Sequence, residues 1–345
     1  MRLRLKKFDG NPILSPVHCS YWESGQVRNP AAILHEGKVH MLYTARAEKE
    51  HGYIHLGHAV STDGFHFERV SEHPAVSPSI REFGGFDAGA VEDARAVKID
   101  DTYYITYVGR SVPWDAFHVR GVRRDDVPDT GGTWTENWRR GGLITSKDMV
   151  TFEKKGPITP EDRFDANLTL FPEKIGGKFV LLHRPSAGVP SKDDKQPGIA
   201  IAFSDDLVNW ENDQGLAGPK FAWENAKIGG SNPPIKTDEG WLTLYHAVER
   251  GPVPGTEKRY QIYRIGVMLL DLEDPTKVLA RASDYILEPT DGWERVGSVN
   301  NVVFPNGGVV LDDELFVYYG GADVVCCVAT AKMKDLLDYV LQFRE

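Results

Sequence analysis

One pattern, two short apolar runs around a tight polar turn, occurs five times along this 345-residue chain. In its clearest copy, the run 96–99 (AVKI) leads to Asp100-Asp101, and a second run, 102–108 (TYYITYV), follows. Runs rich in β-branched and aromatic residues on both sides of a polar turn are typical of β-hairpins. The five copies occupy residues 28–45, 91–108, 170–184, 232–247 and 301–320. We therefore expect a fold built from repeated hairpins.

Three shorter repeats indicate the same organisation. Each begins with Ser, has Asp two residues later, ends in an aromatic residue and follows a predicted strand; they occupy residues 61–67, 146–152 and 204–210. Five copies give a unit of about 60 to 75 residues, enough for one four-stranded sheet with its loops. We predict an all-β fold in which residues 1–345 form a single five-bladed β-propeller domain with a short C-terminal helix. A β-sandwich with coincidental hairpins is the alternative.

Residues 112–142 interrupt the repeat. The segment is long and polar, and it contains five arginines and the tryptophans Trp114, Trp134 and Trp138. A loop of this length in a compact domain is often functional, and indole faces suit sugar rings. We predict an insertion loop at the rim of the central pocket.

Residues 330–344 also depart from the repeat. Their apolar side chains follow helical spacing at Met333, Leu336, Leu337, Val340 and Leu341. This spacing predicts a C-terminal helix that packs on the domain. It is also a candidate contact between the subunits of a homo-oligomer.

Composition excludes several classes of function. The net charge is -10 with acidic and basic residues intermixed, which argues against a nucleic-acid partner. Cys19, Cys326 and Cys327 form neither a disulfide framework nor a metal motif. No apolar run approaches the roughly 18 residues of a membrane span, and the basic N-terminus lacks the apolar core of a signal peptide. We expect a cytoplasmic protein with no membrane partner and no metal.

A candidate acid lies in the stretch 84–95, where Gly84, Gly85 and Gly89 precede Asp93 and Arg95 at the entrance of a predicted strand. A carboxylate on a glycine-flexed backbone near an arginine is a candidate proton donor. A structural ion pair between Asp93 and Arg95 explains the same residues equally well.

Other polar residues recur at matching points of the repeat. They are Asn29 and Arg46, Asp93 and Arg95, Asn167 and Arg184, Lys227 and His246, and Asp323 with Asn300 and Asn301. In a propeller the innermost strands line a central channel, so these side chains are expected to converge there. Basic side chains converging in a pocket of an acidic protein indicate an anionic ligand. Individually, each has a structural explanation, such as a salt bridge between blades for Arg184.

With these residues placed, the sequence resembles glycoside hydrolase family 130, five-bladed propellers that include the β-mannoside phosphorylases. The resemblance covers nearly the whole chain. Its motifs are 89–95 (GAVEDAR), 170–174 (LFPEK), 183–185 (HRP), 227–230 (KIGG), 233–235 (PPI), 240–242 (GWL), 245–246 (YH), 301–305 (NVVFP) and 319–323 (YGGAD).

The resemblance implies an inverting phosphorolysis of β-mannosides, of the manno-oligosaccharide or mannosyl-glucose type, that yields α-mannose 1-phosphate. Asp93 would be the general acid, protonating the glycosidic oxygen through a hydroxyl of the bound mannose. Phosphate would be bound by Arg184, Lys227, His246 and, near them, Asn167. The sugar would be bound by Asn29, Arg46, Arg95 and Asp323. The implied partners are a β-mannoside oligosaccharide and inorganic phosphate as co-substrate, with no cofactor.

An inverting hydrolase needs a second carboxylate to activate water, whereas a phosphorylase uses bound phosphate as the nucleophile. The candidate positions carry Arg, Lys and His, which favours phosphorolysis. Asn167 stands where many family phosphorylases have an arginine near phosphate, so that cation is lost or comes from elsewhere, with the 112–142 insertion as one source.

Two alternatives stay open. A β-mannosidase of the same family would need a base, for which Glu92, Glu249 and Asp323 are candidates. A non-catalytic carbohydrate-binding propeller would need no converging charges.

Overall fold

The computed structural model describes residues 2–48, 52–79, 85–113, 139–161, 163–185 and 198–344. Strands make up about half of the described residues, as the repeated hairpins predict. The first nine are β1 (Lys6–Lys7), β2 (Gln26–His35), β3 (Lys38–Arg46), β4 (Ile54–Ser61), β5 (Glu68–Arg69), β6 (Ala90–Ile99), β7 (Thr102–Arg110), β8 (Arg139–Ser146) and β9 (Glu153–Pro157).

The second half continues the pattern. Its strands are β10 (Thr169–Leu170), β11 (Phe179–His183), β12 (Ile199–Ser204), β13 (Trp210–Ala217), β14 (Lys227–Gly230), β15 (Ile235–Thr237), β16 (Gly240–Pro252), β17 (Arg259–Leu270), β18 (Val278–Arg281), β19 (Val303–Leu311), β20 (Glu314–Gly321) and β21 (Val325–Lys332). A 3-10 turn covers Ala222–Glu224, and the two α-helices are α1 (Gly292–Arg295) and α2 (Met333–Leu341).

All five predicted hairpins are present, as β2–β3, β6–β7, β10–β11, β15–β16 and β19–β20. Their turn residues suit the geometry: Asp312 and Asp313 have φ of 47° and 61°. Two-residue hairpin turns of type I′ need positive φ at both central positions, which Asp, Asn and Gly tolerate best.

The strands form antiparallel units that follow one another along the chain. The units β2–β5 and β6–β9 are joined into one sheet by a single parallel pairing of Ile54 with Ala90. The other units are β10–β13, β14–β18 and β19–β21, and the N-terminal strand β1 completes the last by pairing Lys6 with Thr330.

Five hydrophobic clusters separate these units. Each lies between two consecutive units, and one joins the last unit to the first, where Phe316 and Val328 pack with Val27 and Met41. Each cluster contains side chains from the two units that flank it, so every unit buries both of its faces. Burial of this apolar surface is the main favourable term in folding.

A buried triad recurs in four of the units. A tyrosine hydroxyl on the second strand donates a hydrogen bond of 2.7–3.0 Å to a carboxylate that precedes the first strand, and a cation from the outermost strand pairs with that carboxylate. The triads are Tyr43–Glu23–Arg69, Tyr107–Asp87–Lys154, Tyr245–Glu224–Arg281 and Tyr319–Glu294–Lys7.

In the third unit, a histidine between two aspartates takes the place of the triad. His183 lies between Asp165 and Asp213, with Nδ1 2.7 Å and Nε2 3.0 Å from their carboxylate oxygens. Burial opposes the charged imidazole, but the two carboxylates outweigh it and raise the pKa of His183 to about 9. Because Asn167 and Arg184 flank this network, it holds two candidate site residues in place.

The three Ser-x-Asp repeats form equivalent turns. In one of them, Ser146 Oγ accepts from the Met149 amide, and Asp148 Oδ1 accepts from the amides of Val150 and Thr151. These amide hydrogen bonds lower the pKa of Asp148 to about 2. The same bonds recur around Asp63 and Asp206, which explains why the spacing repeats in the sequence.

Two predicted boundaries need correction. Residues 139–142 belong to strand β8 rather than to the rim loop, because they continue the ladder with β7 as far as the Arg110–Arg139 pair. Residues 330–332 belong to β21, where Lys332 pairs with Glu314, so the helix covers only Met333–Leu341. Trp114, Trp134 and Trp138 lie outside the described residues.

Helix α2 packs as its spacing predicts. Leu336 and Val340 are fully buried, and the other apolar positions, Met333, Leu337 and Leu341, lie against the same hydrophobic cluster. No helix of the described residues is long and apolar enough to cross a membrane.

Candidate active site

A polar pocket with a cavity of about 300 Å³ lies where the first strands of the units converge, with β2 packed against both β6 and β19. Seven of the nine predicted site residues line it: Asn29, Asp93, Asn167, Arg184, Lys227, His246 and Asp323. Residues far apart in sequence thus line one pocket, as their matching positions in the repeat predict.

Left-handed backbone directs several of these side chains. Asn29 and Asp93 have φ of 50° and 55° and occupy equivalent irregularities of β2 and β6, between Arg28 and Ala31 and between Glu92 and Arg95. A bulge re-aims a side chain relative to its strand, and Asn and Asp tolerate positive φ better than most residues. Asn167 and Asp323, both with φ of 56°, share this conformation.

Asp93 is held by hydrogen bonds from its neighbours. Its Oδ1 accepts from Asn29 Nδ2 at 2.8 Å and from Arg28 Nη1 at 3.3 Å, and its backbone amide donates to Thr44 Oγ1 at 2.8 Å. Both side-chain bonds reach one carboxylate oxygen. Oδ2 therefore remains available to a ligand in the pocket.

Glu92 has a different environment although it adjoins Asp93. Its carboxylate accepts hydrogen bonds from Arg28 Nη2 at 3.1 Å and from Arg110 Nε at 2.6 Å. Burial favours the neutral acid, but the two guanidinium groups outweigh it and lower the pKa of Glu92 to about 2. Such a paired carboxylate is a weak base. Glu249, a further candidate, pairs with Arg264 and does not line the pocket.

Asp323 is the remaining carboxylate of the pocket. It has no hydrogen bond to another described residue, and burial raises its pKa even though Arg28 opposes the shift. A carboxyl group with free hydrogen-bonding capacity is therefore available to a sugar hydroxyl.

A second set of lining residues, which we call the anion wall, carries buried polar atoms without protein partners among the described residues. Within the described part of the chain, Arg184 Nε, Asn167 Nδ2, His246 Nδ1 and Arg139 Nε are buried and have no hydrogen-bond partner. Burial and repulsion from Arg184 hold the pKa of Lys227 well below its ordinary value, and burial lowers the pKa of Arg184 to about 10. Clustered cations that lack a salt-bridge partner repel one another, which raises the free energy of the empty pocket. A bound anion offsets this repulsion.

Gly229 allows this wall to form. A Cβ at this position would lie 2.4 Å from Asn167 Nδ2 and 2.6 Å from His246 Cε1. The glycine pair 229–230 matches no known phosphate-binding fingerprint, yet the first glycine lets the two polar side chains meet.

Arg95 and Arg46, also predicted as sugar contacts, are not among the lining residues. Arg95 is fully buried beneath the pocket, where it donates to the backbone oxygens of Asp93 at 2.9 Å and Ser231 at 2.7 Å. Arg46 is half-buried at the end of β3, and its Nε donates to Gln26 Oε1 at 3.4 Å.

Sequence reasoning missed several lining residues as site residues. These include Arg28, Arg110, Arg139, Arg250, Gln261, Tyr263 and Phe304. A signal existed for Arg110, which ends β7 three residues after Tyr107 just as Arg46 ends β3 three residues after Tyr43. No hairpin pattern marks Tyr263, because it lies on the third strand of its unit.

Among the described residues, no group of three or more His, Cys, Asp and Glu side chains is placed to hold a metal ion.

Comparison with known proteins agrees with this geometry. The model of glycoside hydrolase family 130, described as β-1,4-mannooligosaccharide phosphorylase, matches residues 4–342. A 1,2-β-oligomannan phosphorylase of Thermoanaerobacter sp. (strain X514) is 40% identical over 340 residues, which cover 97% of this chain and 99% of that protein.

Solved structures give the same result. A Listeria innocua β-1,2-mannobiose phosphorylase in complex with β-1,2-mannobiose superposes with a TM-score of 0.76 and 27% identity, over 99% of this chain and 100% of that one. A second structure has a TM-score of 0.74 and 25% identity over 96% and 94% of the chains; it comes from work on family glycoside hydrolases that target β-1,2-mannosidic linkages in Candida mannan. The chain belongs to glycoside hydrolase family 130.

Proposed function

We propose that the protein is an inverting phosphorylase that cleaves a β-mannoside with inorganic phosphate to give α-mannose 1-phosphate. One observation carries the proposal: cations without a salt-bridge partner among the described residues, and buried polar atoms without a hydrogen-bond partner, line the same pocket as the Asp93 carboxylate. A phosphorylase needs one acid and an anion site, and this pocket provides both.

Asp93 is the proposed general acid. It delivers a proton to the glycosidic oxygen through a hydroxyl of the bound mannose, while the bond from C1 to that oxygen breaks. An oxygen of HPO₄²⁻ forms the new bond to C1 from the opposite face. The proton that phosphate loses restores Asp93, so that the products are mannose 1-phosphate and a free sugar hydroxyl.

Phosphate is bound in this proposal by Arg184, Lys227, His246 and Asn167. Neutral His246 and Asn167 supply hydrogen bonds, while Arg184 and Lys227 supply charge. The burial that lowers the pKa of His246, with repulsion from Arg184 and Lys227, keeps its imidazole neutral in the empty pocket.

The sugar is bound by Asn29 and Asp323, which lie on the Asp93 side of the pocket. Arg95 supports the site without lining the cavity, because it donates hydrogen bonds to Asp93 O and to Asn167 Oδ1. Arg46 acts through Gln26, which also accepts a hydrogen bond from Arg28.

We further propose β-1,2-linked oligomannan as the substrate class. Support comes from the 40% identical relative, a 1,2-β-oligomannan phosphorylase, and from the Listeria innocua structure with bound β-1,2-mannobiose. The family description names the β-1,4 linkage instead, so linkage is a direct object of the test.

The architecture we propose is a five-bladed propeller whose blades are the five antiparallel units. Five clusters between consecutive units, including one between last and first, support a closed ring. We also propose a cytoplasmic location, since a charged sugar phosphate does not cross membranes unaided.

A hydrolase is the second candidate. Asp323 is a pocket carboxylate without a hydrogen-bond partner among the described residues, so it is placed to serve as a base. Against this, water as the nucleophile would leave the cations of the anion wall without a function.

The test is to incubate β-1,2-mannobiose, longer β-1,2-oligomannans, β-1,4-mannobiose and mannosyl-glucose with and without phosphate. We expect mannose 1-phosphate only when phosphate is present, fastest from a β-1,2 substrate. Release of free mannose regardless of phosphate would establish the hydrolase. Absence of both products across the panel would contradict catalysis on these mannosides.

A further inference from the structure

Arg139 reaches the pocket from an unexpected part of the chain. It is the first residue of β8, directly after the 114–138 segment, and it pairs in register with Arg110. Its side chain lines the pocket, whereas that of Arg140 does not. Successive side chains of a strand point to opposite faces. Arg140 accordingly turns away to Glu161 Oε1 and Thr159 O, at 3.3 and 2.7 Å.

Arg139 differs from two other arginines that line the pocket. Arg28 and Arg110 are both ion-paired with Glu92. Arg139 has no carboxylate partner in the described part of the chain; its guanidinium lies 5.4 Å from the centre of the Phe164 ring, and its buried Nε lacks an acceptor. A guanidinium in this state retains its capacity for charge-assisted hydrogen bonds.

Arg139 lines the same pocket as Arg184 and Lys227, and its charge acts on both. After burial, repulsion from Arg139 is the next largest cause of the lowered pKa of Arg184. Arg139 also contributes, after burial and Arg184, to the lowered pKa of Lys227. Arg139, Arg184 and Lys227 thus line one pocket, and none of them has a salt bridge to a carboxylate of the described residues.

We propose that Arg139 is a phosphate-binding residue that supplies the third cation of the anion site. The inference rests on the proposed phosphorolysis and assigns to it a residue from the strand that follows the 114–138 segment. The planar guanidinium can hold two phosphate oxygens at once, which a lysine cannot do. Arg139 thereby provides the bidentate contact that Asn167, an uncharged side chain, does not.

The test compares R139Q with R140Q, since the two residues are adjacent and face opposite ways. For R139Q we expect the KM for phosphate to rise about tenfold to a hundredfold, the range that loss of a charge-assisted hydrogen bond gives. The KM for the β-mannoside should stay within about twofold, because the interaction is with phosphate. R140Q should leave both constants unchanged. R139K, which keeps the charge without the fork, should lie between R139Q and the wild type.

Calorimetry with inorganic phosphate alone separates this inference from the proposed reaction. Weaker phosphate binding by R139Q but not by R140Q supports the inference, whatever the enzyme does to mannosides. If the wild type releases mannose 1-phosphate and R139Q has the phosphate KM and phosphate affinity of R140Q, the inference fails and the phosphorylase stands. If circular dichroism shows that R139Q folds poorly, R139K is compared with R140Q instead. Phosphate affinity equal to that of the wild type, in an R139K protein with a normal melting curve, would contradict the proposed bidentate contact of Arg139.

Discussion

Asn29 Nδ2 donates a 2.8 Å hydrogen bond to Asp93 Oδ1, although 64 residues separate the two in sequence. Both residues have left-handed backbone at equivalent irregularities of neighbouring units. The repeat therefore places a neutral donor from one unit against the proposed acid of the next. This contact leaves one oxygen of the carboxylate available to substrate.

Replacing Asp93 with Asn should abolish turnover without unfolding the protein. The amide keeps the shape and can still accept from Asn29, but it cannot deliver the proton, which costs about a hundredfold to ten-thousandfold in rate. Steady-state kcat and thermal melting measure the two effects. A rate near that of the wild type in D93N would show that another group is the acid.

Lys227→Ala and Arg184→Ala should each raise the KM for phosphate about tenfold to a hundredfold. Neither change should lower the melting temperature much, because it removes a cation that its neighbours repel. Lys236→Ala is the matched control, since Lys236 is exposed and pairs with Glu173 away from the pocket. Unchanged phosphate kinetics in both site variants would move the anion site elsewhere.

Gly229→Ala should weaken phosphate binding and destabilise the fold by about 1–3 kcal/mol, the usual effect of overpacking. The added methyl group meets Asn167 Nδ2 at 2.4 Å and His246 Cε1 at 2.6 Å. Gly292→Ala serves as the control, because no atom outside its neighbours lies within 4 Å of its Cβ position. Phosphate KM and urea denaturation report the outcome, and equal behaviour of the two variants would mean that the wall adapts freely.

His183 should make the folded protein less stable as the pH becomes alkaline. Its folded-state pKa of about 9 exceeds the ordinary 6.5, so its stabilising contribution is complete below pH 6.5 and is lost as the pH rises through 9. The contribution amounts to roughly 3 kcal/mol. Melting temperatures from pH 6 to 10 should fall more steeply for the wild type than for His183→Gln. Parallel profiles would show that His183 does not carry this proton.

Tyr245→Phe should lower stability by about 1–3 kcal/mol, because buried Glu224 loses a hydrogen-bond donor at 2.8 Å. Tyr260→Phe is the control, since that hydroxyl donates to Glu249 at the same distance on the exposed surface. The urea midpoint should shift for Tyr245→Phe alone. Equal midpoints would mean that the buried triads do not stabilise the units.

Sequence by itself determined the hairpins, their order and the candidate residues that the repeat marks. Hairpin turns and strand runs are local, since their signals lie in residues that are neighbours in the chain. Asn29, Asp93 and Asn167 could be selected because each occupies a corresponding point of the repeat. The helical spacing of 333–341 was equally readable, although its boundary with β21 depended on strand pairing.

Only the tertiary structure decided which charges are paired. Arg95 and Arg184 look alike in the sequence, yet Arg95 is bonded to backbone oxygens beneath the pocket and Arg184 faces the cavity. Glu92 and Asp93 are adjacent and both pair with Arg28, yet only Glu92 also pairs with Arg110. Which charges form ion pairs depends on their burial and on partners from other units. Folding brings these partners together, and no local sequence pattern marks them. The same reason explains why Arg139 and Tyr263 became visible as lining residues only in three dimensions.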